Sequence, residues 1–233
     1  MRLLVGLVGA WAMLAALPAS RAAAEECLRP EVSVRRYRHP EEPTRLALTT
    51  CAGEPNPAAL EPLSLLARDG RLPRPDPETL RAHRAAHPHS AEVAPGVPRL
   101  HPGLLVRLQV IATRYPGHAL VIVSGHRPRA RRTSRHRSAA ALDVAVDGVE
   151  RAEVAALLRG LPKTGVGYYP NSTFTHVDVR EESAYWVDRS GPGERPRYVR
   201  PPPAPAPAER RADARAVSPP PEGARSSRRA GAA

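Results

Sequence analysis

The second half of the chain combines helical and alternating patterns of apolar residues. In "HPGLLVRLQVIATRY", from His101 to Tyr115, apolar residues recur at helical spacing, which predicts an amphipathic helix. The run "HALVIVSG" is short, apolar and rich in β-branched residues, so it predicts a buried strand. In "ALDVAVDG" the residues alternate strictly, which predicts a strand with Asp143 on the face opposite Leu142 and Val144.

Three further segments complete the prediction of the fold. The segment "VERAEVAALLRGL" predicts a second amphipathic helix, and "GVGYYP" and "FTHVDVR" predict two strands joined by a turn over residues 170–173. Isolated helices between strands of this kind are typical of an α+β fold. We therefore expect a largely antiparallel sheet with flanking helices.

Composition divides the 233 residues into four parts. Residues 1–24 combine Arg2, an apolar run and small residues at 22–24, as in an export signal peptide. Residues 25–100 hold a strand hairpin and an irregular part of the domain, whereas residues 101–199 form the organised core. Residues 200–233 are rich in Pro, Ala and Arg and have few large apolar side chains, which predicts a disordered tail.

The signal peptide predicts a periplasmic or secreted protein. Its apolar run is shorter than the roughly 20 residues that a spanning helix needs, so no transmembrane segment is expected in the mature chain. In an oxidising compartment Cys27 and Cys51, which bracket the predicted hairpin, are expected to form a disulfide. Two free thiols are the alternative.

The formal net charge is +12, and the basic residues are arginines apart from Lys163. Such a surplus is typical of proteins that bind nucleic acids or anionic surfaces. The use of arginine with abundant Ala and Pro is equally typical of a compositional bias. An exported protein meets anionic envelope polymers first, so we expect no nucleic-acid partner, and a polyanion binder is the last-ranked hypothesis.

Two strands and one loop offer metal-ligating side chains. Period-2 geometry places His176 and Asp178 on one face of "FTHVDVR", and Asp143 and His176 can converge if their strands lie in one sheet. His136 lies in the loop before Asp143 and can fold back over it. Two imidazoles and one carboxylate are a typical ligand set for catalytic Zn²⁺, which lowers the pKa of a bound water to about 7. On composition alone, simply solvated side chains are the favoured interpretation.

A resemblance sharpens this interpretation. The segment "SRHRSAAALD", from Ser134 to Asp143, follows the pattern S-x-H-x-x-G-x-A-x-D except at Ala139. Together with "SGHR" and "GVGYYPNSTFTHVDVR", it resembles the zinc D-Ala-D-Ala metallopeptidase superfamily, and within it the MepK-like (YcbK-like) murein endopeptidases. The resemblance is strong over residues 101–198 and implies a Hedgehog/DD-peptidase-like fold.

The resemblance also implies roles for individual residues. The zinc ligands are expected to be His136, Asp143 and His176, and Arg127 is expected to hold the substrate or its oxyanion. Asp178 is expected either to orient a ligand imidazole or to accept a proton, so the identity of the general base stays open. His126 stands where an aromatic residue is usual, and we expect it to contact substrate or to be a neutral surface imidazole.

Ala139 replaces the usual glycine of the motif, and it is strained by roughly 1 kcal/mol if this position needs a positive φ. The predicted activity is that of a zinc peptidase that hydrolyses peptide crosslinks of bacterial peptidoglycan with a zinc-activated water. Both a murein endopeptidase and a DD- or LD-carboxypeptidase fit, with peptidoglycan peptide stems as the partner and no prediction of oligomeric state. The alternative is a catalytically impaired peptidoglycan-binding module of the same fold.

Overall fold

The computed structural model describes residues 27–37 and 39–199. The predicted signal peptide and the predicted disordered tail lie outside the described residues. Among the described residues, no helix is long and apolar enough to cross a membrane.

Most strands join one sheet of eight, in the order β10-β9-β7-β8-β6-β5-β1-β2. Their bounds are β1 Val32–Arg36, β2 His39–Leu46, β5 Leu120–Ser124, β6 Ala141–Val146, β7 Thr164–Tyr168, β8 Thr175–Val179, β9 Ala184–Asp188 and β10 Tyr198–Val199. Neighbouring strands pair antiparallel except for β1 with β5 and β7 with β9, which are parallel. Two short strands, β3 Glu92–Ala94 and β4 Val97–Pro98, form a separate hairpin.

Four helices accompany the sheet: α1 Leu60–Leu66, α2 Pro77–Ala86, α3 Gly103–Arg114 and α4 Arg151–Arg159. Helix α1 follows a single 3-10 turn, and α2 is capped by the preceding residue Asp76, whose side chain accepts a hydrogen bond from the Thr79 amide at 2.8 Å. Such a cap satisfies one of the amides that a helix leaves free at its start.

The main core lies between helices α3 and α4 and one face of the sheet. Leu104, Leu108 and Ile111 of α3 are fully buried, and they share one apolar cluster with Leu142 and Val144 of β6. The same cluster holds the apolar residues of β7, β8 and α4 that face the helices: Val154, Leu158, Val166 and Val177. Because side chains alternate along a strand, the neighbouring residues Asp143, His176 and Asp178 are directed to the opposite face.

The α+β class and the largely antiparallel sheet are confirmed. The predicted helix over residues 101–115 and the strands from "HALVIVSG" and "ALDVAVDG" are present with shifted ends. Strand β9 was not predicted, because "AYWVD" lacks the strict alternation that marks a strand in sequence. This strand is held instead by parallel pairing with β7. In the hairpin, β2 begins at His39, earlier than the apolar segment that predicted it.

Cys27 and Cys51 form a disulfide, with their Cα atoms 5.4 Å apart. The Cys51 amide also donates to the Cys27 carbonyl oxygen at 2.7 Å. The link joins the start of the described chain to the segment that follows the β1–β2 hairpin.

Candidate metal centre

Asp143 of β6 and His176 of β8 lie directly opposite each other across the sheet. Both side chains are almost completely buried, with 2% and 7% of the residue surface exposed. They lie on the face opposite Leu142 and Val144, as the alternation of β6 predicts. A buried acid beside a buried imidazole requires compensating partners, because an isolated polar group costs several kcal/mol to bury.

His136 completes the group from the loop between β5 and β6. Its side chain is buried, and Nδ1 donates to the carbonyl oxygen of Gly125 at 2.6 Å. The backbone of the same loop is held in place by the Arg127 amide, which donates to the His136 carbonyl oxygen at 3.1 Å. A loop residue is thereby fixed over the strand pair.

The three side chains form a close triangle of atoms. His136 Nε2 lies 3.2 Å from Asp143 Oδ1 and 3.1 Å from His176 Nδ1, and His176 Nδ1 lies 3.0 Å from Asp143 Oδ1. Ligands at roughly 2.0–2.2 Å around a tetrahedral Zn²⁺ stand roughly 3.3–3.6 Å apart. A search of the described residues for three or more acidic, histidine or cysteine side chains with ligand atoms within 4.8 Å of one another finds this group.

The outer hydrogen bonds decide which ring nitrogens carry protons. His136 Nδ1 faces a carbonyl oxygen, which can only accept. His176 Nε2 faces Asp178 Oδ2 at 3.1 Å. Although burial alone would raise the pKa of Asp178, hydrogen bonds from Arg180 and His176 hold that pKa well below its usual range, so this carboxylate also accepts. In the neutral rings, both inward nitrogens therefore present lone pairs.

A cation fits this donor set. Two lone pairs and one carboxylate oxygen, each about 3 Å from the others, repel one another unless a positive charge lies between them. Burial favours a neutral Asp143, but without a metal ion the charge and hydrogen bonds of His136 and His176, when an inward nitrogen carries a proton, outweigh it and lower the pKa of Asp143. The carboxylate is therefore ionised. His136, Asp143 and His176 can bind a metal ion, and each imidazole has the outward hydrogen bond that is usual for a metal ligand.

The structure places the other predicted site residues around this group. Arg127 Nη2 lies 3.5 Å from Asp143 Oδ2, and 49% of the Arg127 side chain is exposed to solvent. His126 is half-buried, burial lowers its pKa, and its Nδ1 has no hydrogen-bond partner among the described residues. Asp178 contacts His176 from the side away from Asp143.

Ala139 adopts φ 54°, in the left-handed region that favours glycine. Strain was predicted at this position if it needs a positive φ, and that condition is met. The Ala139 methyl is buried, and its carbonyl oxygen accepts from the His101 amide at 2.9 Å. The turn between His136 and Asp143 thus contains a left-handed residue that is not glycine.

Several residues contact the site although the sequence predicted no catalytic or binding role for them. Arg180 donates to both oxygens of Asp178, and Trp186 packs with its ring centroid 5.1 Å from that of His176. Trp186 Nε1 also donates to the hydroxyl oxygen of Tyr169 at 3.0 Å, and burial raises the pKa of Tyr169 to about 12. For Arg180 a signal was available, since it shares a strand face with His176 and Asp178.

Residues 82–178 match the model of the family Peptidase M15. This stretch is similar to the M15 peptidases. It contains His136, Asp143 and His176, and it ends at Asp178. The match and the buried ligand group together support a metal-dependent peptidase of the zinc D-Ala-D-Ala superfamily. No curated protein and no solved structure matches the chain at a significant level.

Proposed function

We propose that the protein is an exported zinc peptidase that hydrolyses peptide bonds in the crosslinks of bacterial peptidoglycan. The observation that carries the proposal is the convergence of His136 Nε2, His176 Nδ1 and Asp143 Oδ1, with the remaining nitrogen of each imidazole already bound to an acceptor. The match of residues 82–178 to Peptidase M15 supports peptidase chemistry at this group.

His136, Asp143 and His176 would hold the ion. When bound there, Zn²⁺ supplies a water of lowered pKa and polarises the carbonyl of the scissile peptide bond. Arg127 lies at the exposed edge of the group, 3.5 Å from Asp143, and is placed to hold a carboxylate of the substrate or the oxygen that becomes negative. A guanidinium suits either task because it stays charged and offers a fixed fork of donors.

Asp178 acts in this proposal as the partner that orients His176. Oδ2 is occupied by His176 Nε2 and by Arg180, and Oδ1 accepts from Arg180 Nε at 2.6 Å. Only 1% of the residue is exposed. A carboxylate with both oxygens occupied and away from solvent is poorly placed to collect a proton from substrate, so we assign it an orienting role rather than that of the general base.

The positive charge of the loop around His136 favours an anionic substrate. Residues 93–142 contain no acidic side chain, and exposed arginines surround the ligand His136 in its loop: Arg127, Arg129, Arg131, Arg132, Arg135 and Arg137. Peptidoglycan stems carry free carboxylates, which arginine binds through paired hydrogen bonds. The Hedgehog/DD-peptidase-like fold, the MepK-like subgroup and the peptide stems as partner belong to the same proposal.

Export is supported by two features. The Cys27–Cys51 disulfide is typical of oxidising compartments outside the cytosol. Residues 1–24 have the order of charged, apolar and small residues that marks a signal peptide. Both favour a periplasmic or secreted protein.

The test is zinc content combined with release of soluble muropeptides from purified sacculi. We expect one zinc per chain and muropeptide release in the wild type, and loss of both in His176→Ala. His89→Ala is the matched control, because His89 is exposed and lies outside the ligand group. Undiminished muropeptide release by His176→Ala would contradict the proposal.

The same assay separates the alternative of a binding module. Such a module would bind zinc and sediment with sacculi, yet release no product that mass spectrometry detects. Products with cut crosslinks indicate an endopeptidase, whereas release of single terminal amino acids indicates a carboxypeptidase.

A further inference from the structure

Arg180 binds the carboxylate of Asp178, which also contacts Nε2 of His176. Its Nε donates to Asp178 Oδ1 at 2.6 Å, and its Nη2 donates to Asp178 Oδ2. The Arg180 side chain is 23% exposed, whereas that of Asp178 is 1% exposed. The pair is thus a two-point contact between a partly accessible guanidinium and a buried carboxylate, which fixes direction as well as distance.

The neighbouring strand leaves room for this contact. Gly165 of β7 pairs with Asp178, and a side chain at Gly165 would overlap both Asp178 Oδ1 and the Arg180 guanidinium. Two pairs further along β7, Gly167 lies opposite His176, and a Cβ there would stand 2.7 Å from the Trp186 indole. The two glycines leave space above this part of the sheet, and the side chains of Arg180 and Trp186 occupy it.

Arg180 is also held from its other side. Its guanidinium carbon lies 5.4 Å from the centre of the Trp186 ring, and the Trp186 ring in turn packs against His176. A cation over an indole face is an attractive arrangement. The imidazole of His176 is therefore bordered by Asp178 and Trp186, and Arg180 contacts both of these neighbours.

We propose that Arg180 is a positioning residue for the metal ligand His176, acting through Asp178. The inference rests on the proposed metal site and concerns how the His176 ring is held in the orientation that binds the ion. With both carboxylate oxygens fixed by Arg180, Asp178 presents Oδ2 to His176 Nε2, and Nδ1 is left directed at His136 and Asp143. Without Arg180, the Asp178 carboxylate can rotate and hydrate, and the His176 ring loses its fixed partner.

The test is the zinc affinity of the purified full chain, measured by competition with a chelating indicator. We expect Arg180→Gln to bind zinc about 10- to 100-fold more weakly than the wild type, the usual effect of removing an outer partner of a metal ligand. We expect Asp178→Ala to lose at least as much. If Arg180 acts through Asp178, adding Arg180→Gln to Asp178→Ala lowers the affinity less than about 2-fold further, because the shared interaction is already lost.

A control variant and a spectrum distinguish this positioning role of Arg180 from a merely structural or long-range electrostatic role. Lys163→Gln removes one positive charge from an exposed ion pair with Glu181 and is the matched control, expected to keep wild-type zinc affinity. The electronic spectrum of the Co²⁺-substituted protein reports the ligand field directly. We expect it to change in Arg180→Gln and to return towards the wild type in Arg180→Lys, which restores a charged donor.

Unchanged zinc affinity in Arg180→Gln would overturn the inference, and so would a full additional loss in the double variant. If Arg180→Gln failed to fold, Arg180→Lys would carry the comparison, because it keeps the charge but cannot donate in a fork. An affinity loss of a few-fold is expected for it, and wild-type affinity with an unchanged cobalt spectrum would overturn the inference. Failure of the wild type to bind zinc would instead reject the proposed function itself.

Discussion

The carbonyl oxygen of Gly125 lies 2.6 Å from Nδ1 of His136, so the residue that follows β5 fixes the ring of a candidate ligand in the next loop. Gly125 itself is pressed against the end of α1. A Cβ at this position would overlap the Ala67 carbonyl oxygen and approach the Ala67 Cβ to 2.5 Å. The next residue adds to the contact, since the His126 amide donates to the Ala67 carbonyl oxygen at 2.8 Å.

Gly125→Ala is therefore expected to weaken both stability and zinc binding. The added methyl must push β5 away from α1, and overpacking of this kind costs about 1–3 kcal/mol of unfolding free energy. Displacement of the Gly125 carbonyl also loosens His136. Thermal unfolding in chelator measures the first effect, and zinc competition measures the second.

Gly160→Ala is the matched control for that substitution. Gly160 has φ −75°, and the nearest atom to an added Cβ is the Leu157 carbonyl oxygen at 3.4 Å, an ordinary contact. We expect this variant to keep wild-type zinc affinity and to unfold at about the wild-type temperature. Equal behaviour of the two variants would show that the Gly125 contact is unimportant.

The stabilisation that zinc gives is expected to grow as pH rises from 6 to 8. Burial lowers the pKa of His176, but hydrogen bonds and charge from Asp143 and Asp178 outweigh it, so the pKa in the metal-free protein lies above the ordinary 6.5. Its contribution to metal-free stability is present below pH 6.5 and is lost as pH rises through the raised pKa. Zinc must displace that proton, so zinc binds more tightly at higher pH.

Melting temperatures with excess zinc and with chelator, recorded across this pH range, measure the difference. The chelated protein should lose stability towards pH 8, whereas the zinc-loaded protein should not. A gap between the two melting temperatures that narrows with rising pH would contradict the ligand role of His176.

Substitution of Ala139 tests whether the departure from the glycine motif matters. At φ 54° an alanine costs about 1–2 kcal/mol, but glycine forfeits a buried methyl worth about 0.8 kcal/mol and gains freedom in the unfolded chain. Ala139→Gly should therefore change the unfolding free energy by less than about 1 kcal/mol and leave muropeptide release within a few-fold. A large gain in activity would instead favour the impaired-module alternative.

The arginines of the His136 loop should make binding to sacculi depend on salt. Replacing Arg129, Arg131 and Arg132 by Gln is expected to weaken sedimentation with sacculi and to flatten its decline with rising salt. The matched control removes three exposed arginines elsewhere: Arg81, Arg114 and Arg195. Equal losses in the two triple variants would show that net charge, rather than this loop, governs binding.

Strand alternation allowed two members of the ligand group to be brought together, whereas the full set with His136 was predicted from the resemblance. Asp143 and His176 each stand on the polar face of an alternating strand, and pairing of the two strands is enough to bring them together. The left-handed turn at Ala139 was also foreseeable, because the motif carries glycine there. The pairing of β6 with β8, rather than with another strand, was an assumption that only the structure supports.

The contacts that hold the ligand group in place could not be predicted from the sequence, although strand alternation puts Arg180 on the same face as His176 and Asp178. The contact of Gly125 with Ala67 joins segments far apart in the chain, and its signature in sequence is a lone glycine. Arg180 stands two residues beyond Asp178, but nothing in the sequence tells whether its long side chain turns back to that carboxylate or out to solvent. Trp186 is brought to His176 by the parallel pairing of β9 with β7, and β9 lacks the strict alternation that would predict this strand from the sequence.

A crystal structure of the zinc-loaded protein, with anomalous data at the zinc edge, would show directly which side chains bind the ion. We expect one ion bound by His136 Nε2, His176 Nδ1 and an oxygen of Asp143, with His176 Nε2 still donating to Asp178. An ion bound elsewhere, or bound through His176 Nε2 with Asp178 displaced, would contradict this expectation.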